Sequence, residues 1–525
     1  MSQILRPRMR RILVLALLIG SVGLLLWSTG VFGRGRGALP ELSDGDVEFA
    51  WIHAATSGST WERFVAGVLR AQADRPGLHV DDRRAFLDQT TAVPEIVISF
   101  DGVPGRMRIR WYKLTSETDN SYWVQRLAQR AQPPLAFIGG GTSERAVDLA
   151  RALAAQTRWP GPPPLLLITT ATANTLYADA SAQLDAASTP TALMDVYRGR
   201  SFRFCFTNRQ MAQAVVDFLW SQPDLRPIGD PMPALAAIGE PALDPWGAIG
   251  LMAVQNIDCP ATATALEWDD DPYSIDLSRQ FHDAFHQPGL PRLIVKDTRS
   301  IPYSVGGFYR PNAWEAAAAQ WLLAGLSDAP LERQVLILPT SAAQARRVLR
   351  TVSGVRPLAG RSLVAVTGDS INVNNVFRDA DLVWNSRALP IPVVFFAHQN
   401  PVAWDPTANL APPNSTDDVL ANRDLMRVLL EAAVVREGGA SRLVRSADEL
   451  AARLRGLQPP YFDAAGDRLG GRGEYIVVVR PQFSGGAPVL ADAVLEVWTR
   501  GGPGPAGQWT QIERLVIDHG RRSVE

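Results

Sequence analysis

The chain reads as an α/β protein built in at least two lobes, and two observations carry that. The first is a unit that returns along the sequence: an apolar strand-like run, a loop rich in Gly, Thr or Ser, and an amphipathic helix. It stands at 47–72, 136–150, 233–257 and 333–352. Strands alternating with helices in this way build parallel sheets covered on both faces. The second is size. At 525 residues, 46% apolar and 20% charged, the chain exceeds one ordinary core and has the composition of a globular body.

Taken in order, the N-terminus comes first. Arg6, Arg8, Arg10 and Arg11 precede an apolar run over 12–33 that Arg34 and Arg36 close. The run is near the roughly 20 residues a membrane-spanning helix needs and longer than a usual signal-peptide core. No small-residue cleavage site or acylatable cysteine follows, and the arginine bias places the N-terminus inside. The expectation is a cytoplasmic arginine-rich segment (1–11), a transmembrane signal anchor (12–33) and a linker (34–45). The body is then held at the inner membrane, single-pass, and exposed to the periplasm or extracytoplasmic space. A cleaved signal peptide is the alternative.

The body opens with strand, loop and helix over 47–72, whose helical spacing puts Phe64, Val68 and Leu69 on one face and Trp61 at the loop edge. Residues 73–106 are less regular, and 93–114 reads as a hairpin turning at Asp101 and Gly102. A helix at 120–131 precedes the strand that ends at Gly139. The acidic run 267–280 reads as a solvated loop. Asn312 and Glu315 form a capping box before an alanine-rich helix, and 363–377 is a strand ending in a polar loop. The apolar run 390–400 suits a connection between lobes, and 415–435 reads as a capped helix. Ser446 and Glu449 cap a helix over 450–457, 461–468 is a turn, and 493–517 is a hairpin around a Gly/Pro turn.

Charge and motifs exclude several functions. A formal net charge of −1 gives no field to draw in nucleic acid or anionic lipid. Arginine carries nearly all the positive charge, a bias to which no function attaches. Cys205 and Cys259 make no metal-binding spacing, though an oxidising compartment would allow them one disulfide. His282 and His286 lie four apart on one helix face but lack further zinc ligands, so a solvated surface is the plainer reading. Asp463–Asp467 lacks the calcium-loop ligand ladder and reads as a turn. No nucleophile elbow, P-loop or zincin motif occurs. Neither cofactor nor metal is expected, and the sequence points to a binder rather than an enzyme.

Three phrases, AFIGGGTSERAVDLA (136–150), PLLLITTATANTL (164–176) and FRFCFTNRQMAQAVVDFLW (202–220), follow one another in an order that resembles the type I periplasmic binding proteins, the leucine/isoleucine/valine-binding-like receptors. The resemblance extends over most of 47–515. It implies two doubly wound lobes joined by three crossovers, lobe 1 at 46–202 and 396–457 and lobe 2 at 203–395 and 458–525. It also implies a ligand in the interlobe cleft and an ABC transporter permease as partner. Amino-acid or related carboxylate ligands are the expected class; a transport-inactive sensor or scaffold binding a protein is the alternative.

By the same resemblance, the first lobe holds the ligand carboxylate with hydroxyls and N–H groups of two loops. Ser143, beside Thr142, matches the first loop; Thr170 and Thr172 match the second. A helix N-cap is the other reading of Ser143. Asp369 falls where the second lobe supplies an acid for the amino group, or else forms a turn. Trp246, in the DPWG phrase 244–247, sits where an aromatic closes over the ligand. Thr207 falls near a first-lobe polar position, and Trp61 is a rim aromatic or a packing residue. The amino-acid reading requires Ser143, Thr172 and Asp369 to converge on one cleft.

Overall fold

The computed structural model describes residues 41–87, 92–176, 191–229, 261–267, 272–290, 293–300, 332–340, 363–369, 391–402, 416–471, 473–484, 487–501, 507–518 and 521–524, with Leu39, Ala345, Val348, Leu349 and Ile371. The first lobe is laid down as β1 (Val47–Ala54), α1 (Gly58–Ala73), β2 (Leu78–Arg84), β3 (Glu95–Phe100), β4 (Val103–Leu114), α2 (Asn120–Ala128), β5 (Ala136–Gly139), α3 (Ser143–Ala155) and β6 (Leu165–Ile168). A small ribbon, β7 (Thr175–Leu176) with β8 (Thr191–Ala192), and a single turn of helix, α4 (Leu193–Val196), lead to β9 (Ser201–Arg203). The sheet order is β2-β3-β4-β1-β5-β6-β9. From β4 to β9 every pairing is parallel, while β2 and β3 add an antiparallel edge. The hairpin between β3 and β4 turns at Asp101 and Gly102 as the sequence predicts, with Phe100 paired to Val103.

The chain then enters the second lobe through α5 (Asn208–Ser221), β10 (Ala261–Glu267), α6 (Pro272–Phe285), β11 (Leu293–Ser300), β12 (Gln334–Ile337), β13 (Leu363–Thr367) and β14 (Val393–Ala397). It returns to lobe 1 for α7 (Thr416–Ala433), the ribbon β15 (Val434–Glu437) and β16 (Ala440–Leu443), and α8 (Ala447–Arg455). It crosses again to finish lobe 2 with β17 (Glu474–Ser484), β18 (Ala487–Arg500), β19 (Trp509–Asp518) and β20 (Arg521–Val524). That sheet runs β11-β10-β12-β13-β14-β17-β18-β19-β20, parallel through β14 and antiparallel beyond it.

Both parallel sheets place their first strand between the second and third: β4-β1-β5 in lobe 1 and β11-β10-β12 in lobe 2. At that point connections leave toward opposite faces of the sheet and open a crevice beyond the strands' carboxyl ends. Lobe 1 is cored on both faces. One face packs Phe49, Trp51, Phe64 and Val68 against Met426, Leu429 and Leu450 of α7 and α8; the other packs Ala50, Ile52 and Phe137 under α2 and α3. Gly67 of α1 makes the first of these packings possible, since a Cβ there would stand 2.6 Å from Asn422 Cβ and 2.9 Å from Arg423 N.

Four expectations need correction. Among the described residues no helix is long and apolar enough to cross a membrane, so the expected transmembrane helix is not part of the fold they make, which is two lobes. The segment 12–33 on which that expectation rested lies outside the described residues, and the membrane anchor, the membrane as partner and the single-pass inner-membrane location are not carried forward. The acidic run is no solvated loop from 272 onward: α6 begins at Pro272, and Ile275, Leu277 and Phe281 are buried. Leu69 is 38% exposed, the buried face of α1 being Trp61, Phe64, Val65 and Val68. Trp61 is not at a rim but 1% exposed in the lobe 1 core. Cys205 is a buried free thiol, while Cys259 lies outside the described residues.

Candidate functional site

A cavity of about 360 Å³ lies between the lobes where the parallel strands of both sheets end, within the size range of small-molecule sites. Lobe 1 contributes His53 at the end of β1, Gly141 after β5, Arg145 in the first turn of α3, and Thr169 and Thr170 after β6. Lobe 2 contributes Asp369 after β13, and Phe396 and His398 at the end of β14. Phe204, Cys205 and Arg468 line it from the crossovers, and Arg63 and Asp418 from α1 and α7. Two larger grooves, of about 590 and 620 Å³, lie at the opposite end of the lobe 1 sheet and beside the last crossover. Neither gathers the strand ends of both sheets.

On the lobe 2 wall three groups fix one another. The Phe206 N–H donates to His398 Nδ1 at 3.4 Å, which assigns the imidazole proton to Nε2. Nε2 then donates to Asp369 Oδ2 at 2.8 Å, and the Tyr273 hydroxyl donates to Oδ1 at 2.7 Å. Burial would raise the Asp369 carboxyl, but the hydrogen bonds from His398 and Tyr273 outweigh it and hold the group below its ordinary value. Asp369 is thus an ionised carboxylate at the cleft, held by donors rather than by an arginine.

On the lobe 1 wall the hydroxyls point inward. Thr169 donates to the Gly139 carbonyl and Thr170 to the Gly140 carbonyl, each at 3.3 Å. Their protons are spent on strand ends, so both present only lone pairs to the cavity. His53 is 4% exposed, stacked on Trp51 with ring centroids 4.0 Å apart, and its Nε2 is buried without a hydrogen-bond partner. Burial, and then the charge of Arg145, lower its pKa to about 4, so the ring is neutral at ordinary pH. Gly141 faces it closely: a Cβ there would stand 2.9 Å from His53 Cε1.

The residues singled out from sequence divide accordingly. Thr170 and Asp369 line the cavity. Thr142 is the N-cap of α3, accepting from the Arg145 N–H at 3.4 Å. Ser143 Oγ accepts from the Ala173 N–H at 3.3 Å inside lobe 1. Thr172 is buried, its carbonyl accepting from the Asn208 N–H at 2.8 Å and from Arg203 Nη1 at 3.1 Å. Thr207 forms a capping box with Gln210 at the start of α5. Trp61 Nε1 donates to the Ala85 carbonyl at 2.7 Å, and its ring packs on Trp51 and Trp111. Trp246 lies outside the described residues. Of the three groups required to converge, Asp369 lines the cleft, whereas Ser143 and Thr172 are engaged behind it.

What meets the second loop of lobe 1 is a residue the sequence reading passed over. Asp276 of α6 is 1% exposed. Its Oδ2 accepts from the Asn174 N–H at 2.8 Å and Asn208 Nδ2 at 2.9 Å, and its Oδ1 from the Thr175 N–H at 3.2 Å. Lobe 2 thus supplies a carboxylate of its own to the loop of lobe 1 that was expected to receive a ligand's. His53 and Arg145 were missed as well. Arg145 stands inside the 136–150 phrase, and His53 is the one polar residue closing the apolar strand 49–53; a polar group at the end of a first strand was the available signal.

Among the described residues no group of three or more His, Cys, Asp or Glu side chains could hold a metal ion. No protein-family model matches the chain, and no curated protein matches it. Among solved structures it is similar to a leucine-binding protein from Thermotoga maritima, with 14% identity, 84% of this chain and 97% of that one covered, and a TM-score of 0.46. It is similar to a leucine-, isoleucine-, valine-, threonine- and alanine-binding protein from Brucella ovis, at 11% identity with 89% and 95% covered and a TM-score of 0.45. A third is a solute-binding protein of an ABC transporter from Rhodopseudomonas palustris BisB5, in complex with 3,4-dihydroxybenzoic acid, at 10% identity with 85% and 95% covered and a TM-score of 0.44. Scores of this size say nothing about a ligand. By its own strand orders, with two doubly wound lobes and a chain that passes between them three times, the protein has a type I periplasmic-binding-protein-like fold.

Proposed function

We propose that the protein is a solute-binding receptor that captures a small polar solute in the cavity between its lobes, without making or breaking bonds. One observation carries this: the carboxyl ends of parallel strands from both doubly wound sheets open onto one cavity of about 360 Å³. Open α/β sheets bind ligands beyond those strand ends, and a two-lobed molecule can close on its ligand by hinge motion. The division into lobe 1 (46–202 and 396–457) and lobe 2 (203–395 and 458–525), with the end of β14 through His398 counted with the lobe 2 sheet it belongs to, is part of the same proposal, as is a carboxylate-bearing solute. In this reading Asp369 offers a fixed negative charge to a cationic or hydrogen-bonding part of the ligand, and Phe204 and Phe396 offer apolar surface.

The test is thermal denaturation of the protein against amino acids, small carboxylates, uncharged sugars and polyamines. A solute that binds only the folded state raises the midpoint with concentration. A saturable rise that Asp369→Ala or Phe396→Ala weakens supports the cleft. No rise with any solute class removes the proposal.

A further inference from the structure

The three segments that pass between the lobes are joined unequally, and one titratable side chain makes the difference. We propose that His398 is a proton-gated joint of the hinge: its neutral ring ties the second crossover to the first, and a proton on Nδ1 releases that tie and loosens the lobes. This goes beyond the reading of the cavity as a solute site and does not depend on it.

The first and third crossovers are clamped to each other. The Arg203 N–H donates to the Gly466 carbonyl at 2.8 Å, and the Arg468 N–H to the Arg203 carbonyl at 3.1 Å. Side chains reinforce them: Arg203 Nε stands 3.0 Å from Asp467 Oδ1, Arg468 Nη1 donates to the Phe204 carbonyl at 3.3 Å, and Gln210 Nε2 donates to the Arg468 carbonyl at 2.7 Å. Among the described residues the second crossover meets the first through one hydrogen bond, from the Phe206 N–H to His398 Nδ1 at 3.4 Å. His398 stands where β14 runs out into that crossover, stacked on Phe206 with ring centroids 5.8 Å apart and planes at 11°. Arg468 of the third crossover lies over the same ring, 4.1 Å from its centroid. All three crossovers thus meet at Phe206, which is fully buried.

A neutral imidazole accepts at one nitrogen, whereas an imidazolium donates at both. Once Nδ1 takes a proton, it and the Phe206 N–H confront each other as two donors, and their hydrogen bond is lost. The Nε2 contact with Asp369 at 2.8 Å becomes charge-assisted and strengthens. The proton therefore draws His398 to lobe 2 while it lets the first crossover go. The imidazolium also shares the Phe206 ring with the Arg468 guanidinium, and like charges repel. The His398 side chain is 16% exposed and lines the cavity, which gives protons a route to it.

The groups that face His398 leave the switch to it. Asp369, with the Tyr273 hydroxyl on its other oxygen, is already ionised. The Cys205 thiol, beside Phe206, is pushed up to about 12 by burial. Across the cavity His53 is lowered to about 4 by burial and then by Arg145. Arg468, Arg145 and Arg63 are cations throughout, with Asp424 3.7 Å from Arg468 and Asp418 3.1 Å from Arg63. None of these changes charge between about pH 5 and about pH 8, the span in which histidine acts as a switch. Asp467 and Asp276, both raised by burial, face Arg203 and the loop at Asn174 and Thr175 rather than His398.

The experiment follows amide hydrogen exchange of the whole protein, without solute, at about pH 8 and about pH 5, each rate divided by the intrinsic rate at that pH. The Phe206 amide is expected to lose protection by roughly fivefold or more on acidification. The Arg203 and Arg468 amides, which join the first and third crossovers, keep theirs. Small-angle scattering reads the loosening as a larger radius of gyration at the lower pH. In His398→Gln, whose side-chain amide does not titrate, both changes disappear. Asp276→Asn, which removes the other interlobe carboxyl raised by burial, leaves both in place. The joint is overturned by unchanged Phe206 protection or an unchanged radius in wild type, and by a fall shared equally by all three amides. A fall that persists in His398→Gln, or that Asp276→Asn abolishes, overturns it too. The comparison of the three amides in wild type decides the matter if His398→Gln folds poorly. With no solute present, failure here leaves the cleft reading standing, and failure of the solute panel leaves the joint standing.

Discussion

Asp276 offers the sharpest test of how the two lobes are held together. Its carboxylate takes two backbone N–H groups of the lobe 1 loop 172–175 and the side-chain amide of Asn208, all within 3.2 Å. Asp276→Ala would leave those three donors without an acceptor in a contact that water reaches poorly. A hydrogen bond to a charged acceptor contributes about 1.5–3 kcal/mol, so the gross loss is roughly 4–9 kcal/mol. Against it stands the relief of no longer burying a carboxylate, which costs several kcal/mol per ion. The net expectation is a loss of about 2–4 kcal/mol, in the range seen when one member of a buried polar cluster is deleted. Urea denaturation reads it as a lower midpoint, and small-angle scattering of the native protein reads any opening of the lobes as a larger radius of gyration. A variant within about 0.5 kcal/mol of wild type with unchanged scattering, the usual range for an uninvolved surface change, would show that the contact does not hold the lobes.

Four further predictions follow from the same structure. Burial keeps the Asp276 carboxyl above its ordinary value despite its N–H partners, so its protonation favours the closed fold. That contribution is present in full below the ordinary carboxyl value and is lost as pH rises through the raised one, so wild type gains stability over Asp276→Asn as pH falls through the raised value. Gly67→Ala drives a methyl into Asn422 and the α7 backbone and costs about 1–3 kcal/mol by denaturant titration, as overpacking does. Trp61→Ala removes a core ring packed on Trp51 and Trp111 and costs about 3–5 kcal/mol, which a calorimetric midpoint checks. Glu48→Ala takes from the buried Arg110 one of its two carboxylates, at 2.7 Å, leaving Glu95 at 2.5 Å, and removes the acceptor of Arg130 at 2.8 Å and of the Tyr112 hydroxyl. The expected cost is about 2–4 kcal/mol by urea titration, below the roughly 3–5 kcal/mol of a buried charge left wholly unpaired.

How much was legible follows from where each feature's partners lie. The β3–β4 hairpin turns on adjacent residues, Asp101 and Gly102, and the cap of α8 on Ser446 and the Glu449 N–H; such local chemistry is written in a short window. The strand–loop–helix units at 47–72 and 136–150 were readable for the same reason, while that at 233–257 lies outside the described residues. Asp276 was not, because the acidic composition of 267–280 hid the buried face formed by Ile275, Leu277 and Phe281. Its partners also stand about a hundred residues earlier in the chain, as the separations of 102 and 101 show. Of the threonines singled out, Thr170 lines the cavity, but which way its hydroxyl proton points depends on a strand end thirty residues away, at Gly140. His53 was passed over because its meaning comes from the sheet order, which places β5 beside β1.

The core that closes lobe 1 also sets the order in which the protein can be made. Phe64 and Val68 wait for Met426 and Leu429, and Phe202 for Phe462. At typical synthesis rates of about 5–20 residues per second, the gap between those partners lasts on the order of tens of seconds. During that interval the nascent chain carries a bare apolar face of α1, and lobe 1 reaches its final core only after most of lobe 2's parallel strands have emerged. The emerging polypeptide therefore has a long window in which that face of α1 is uncovered, and a truncation before residue 425 leaves neither lobe able to finish.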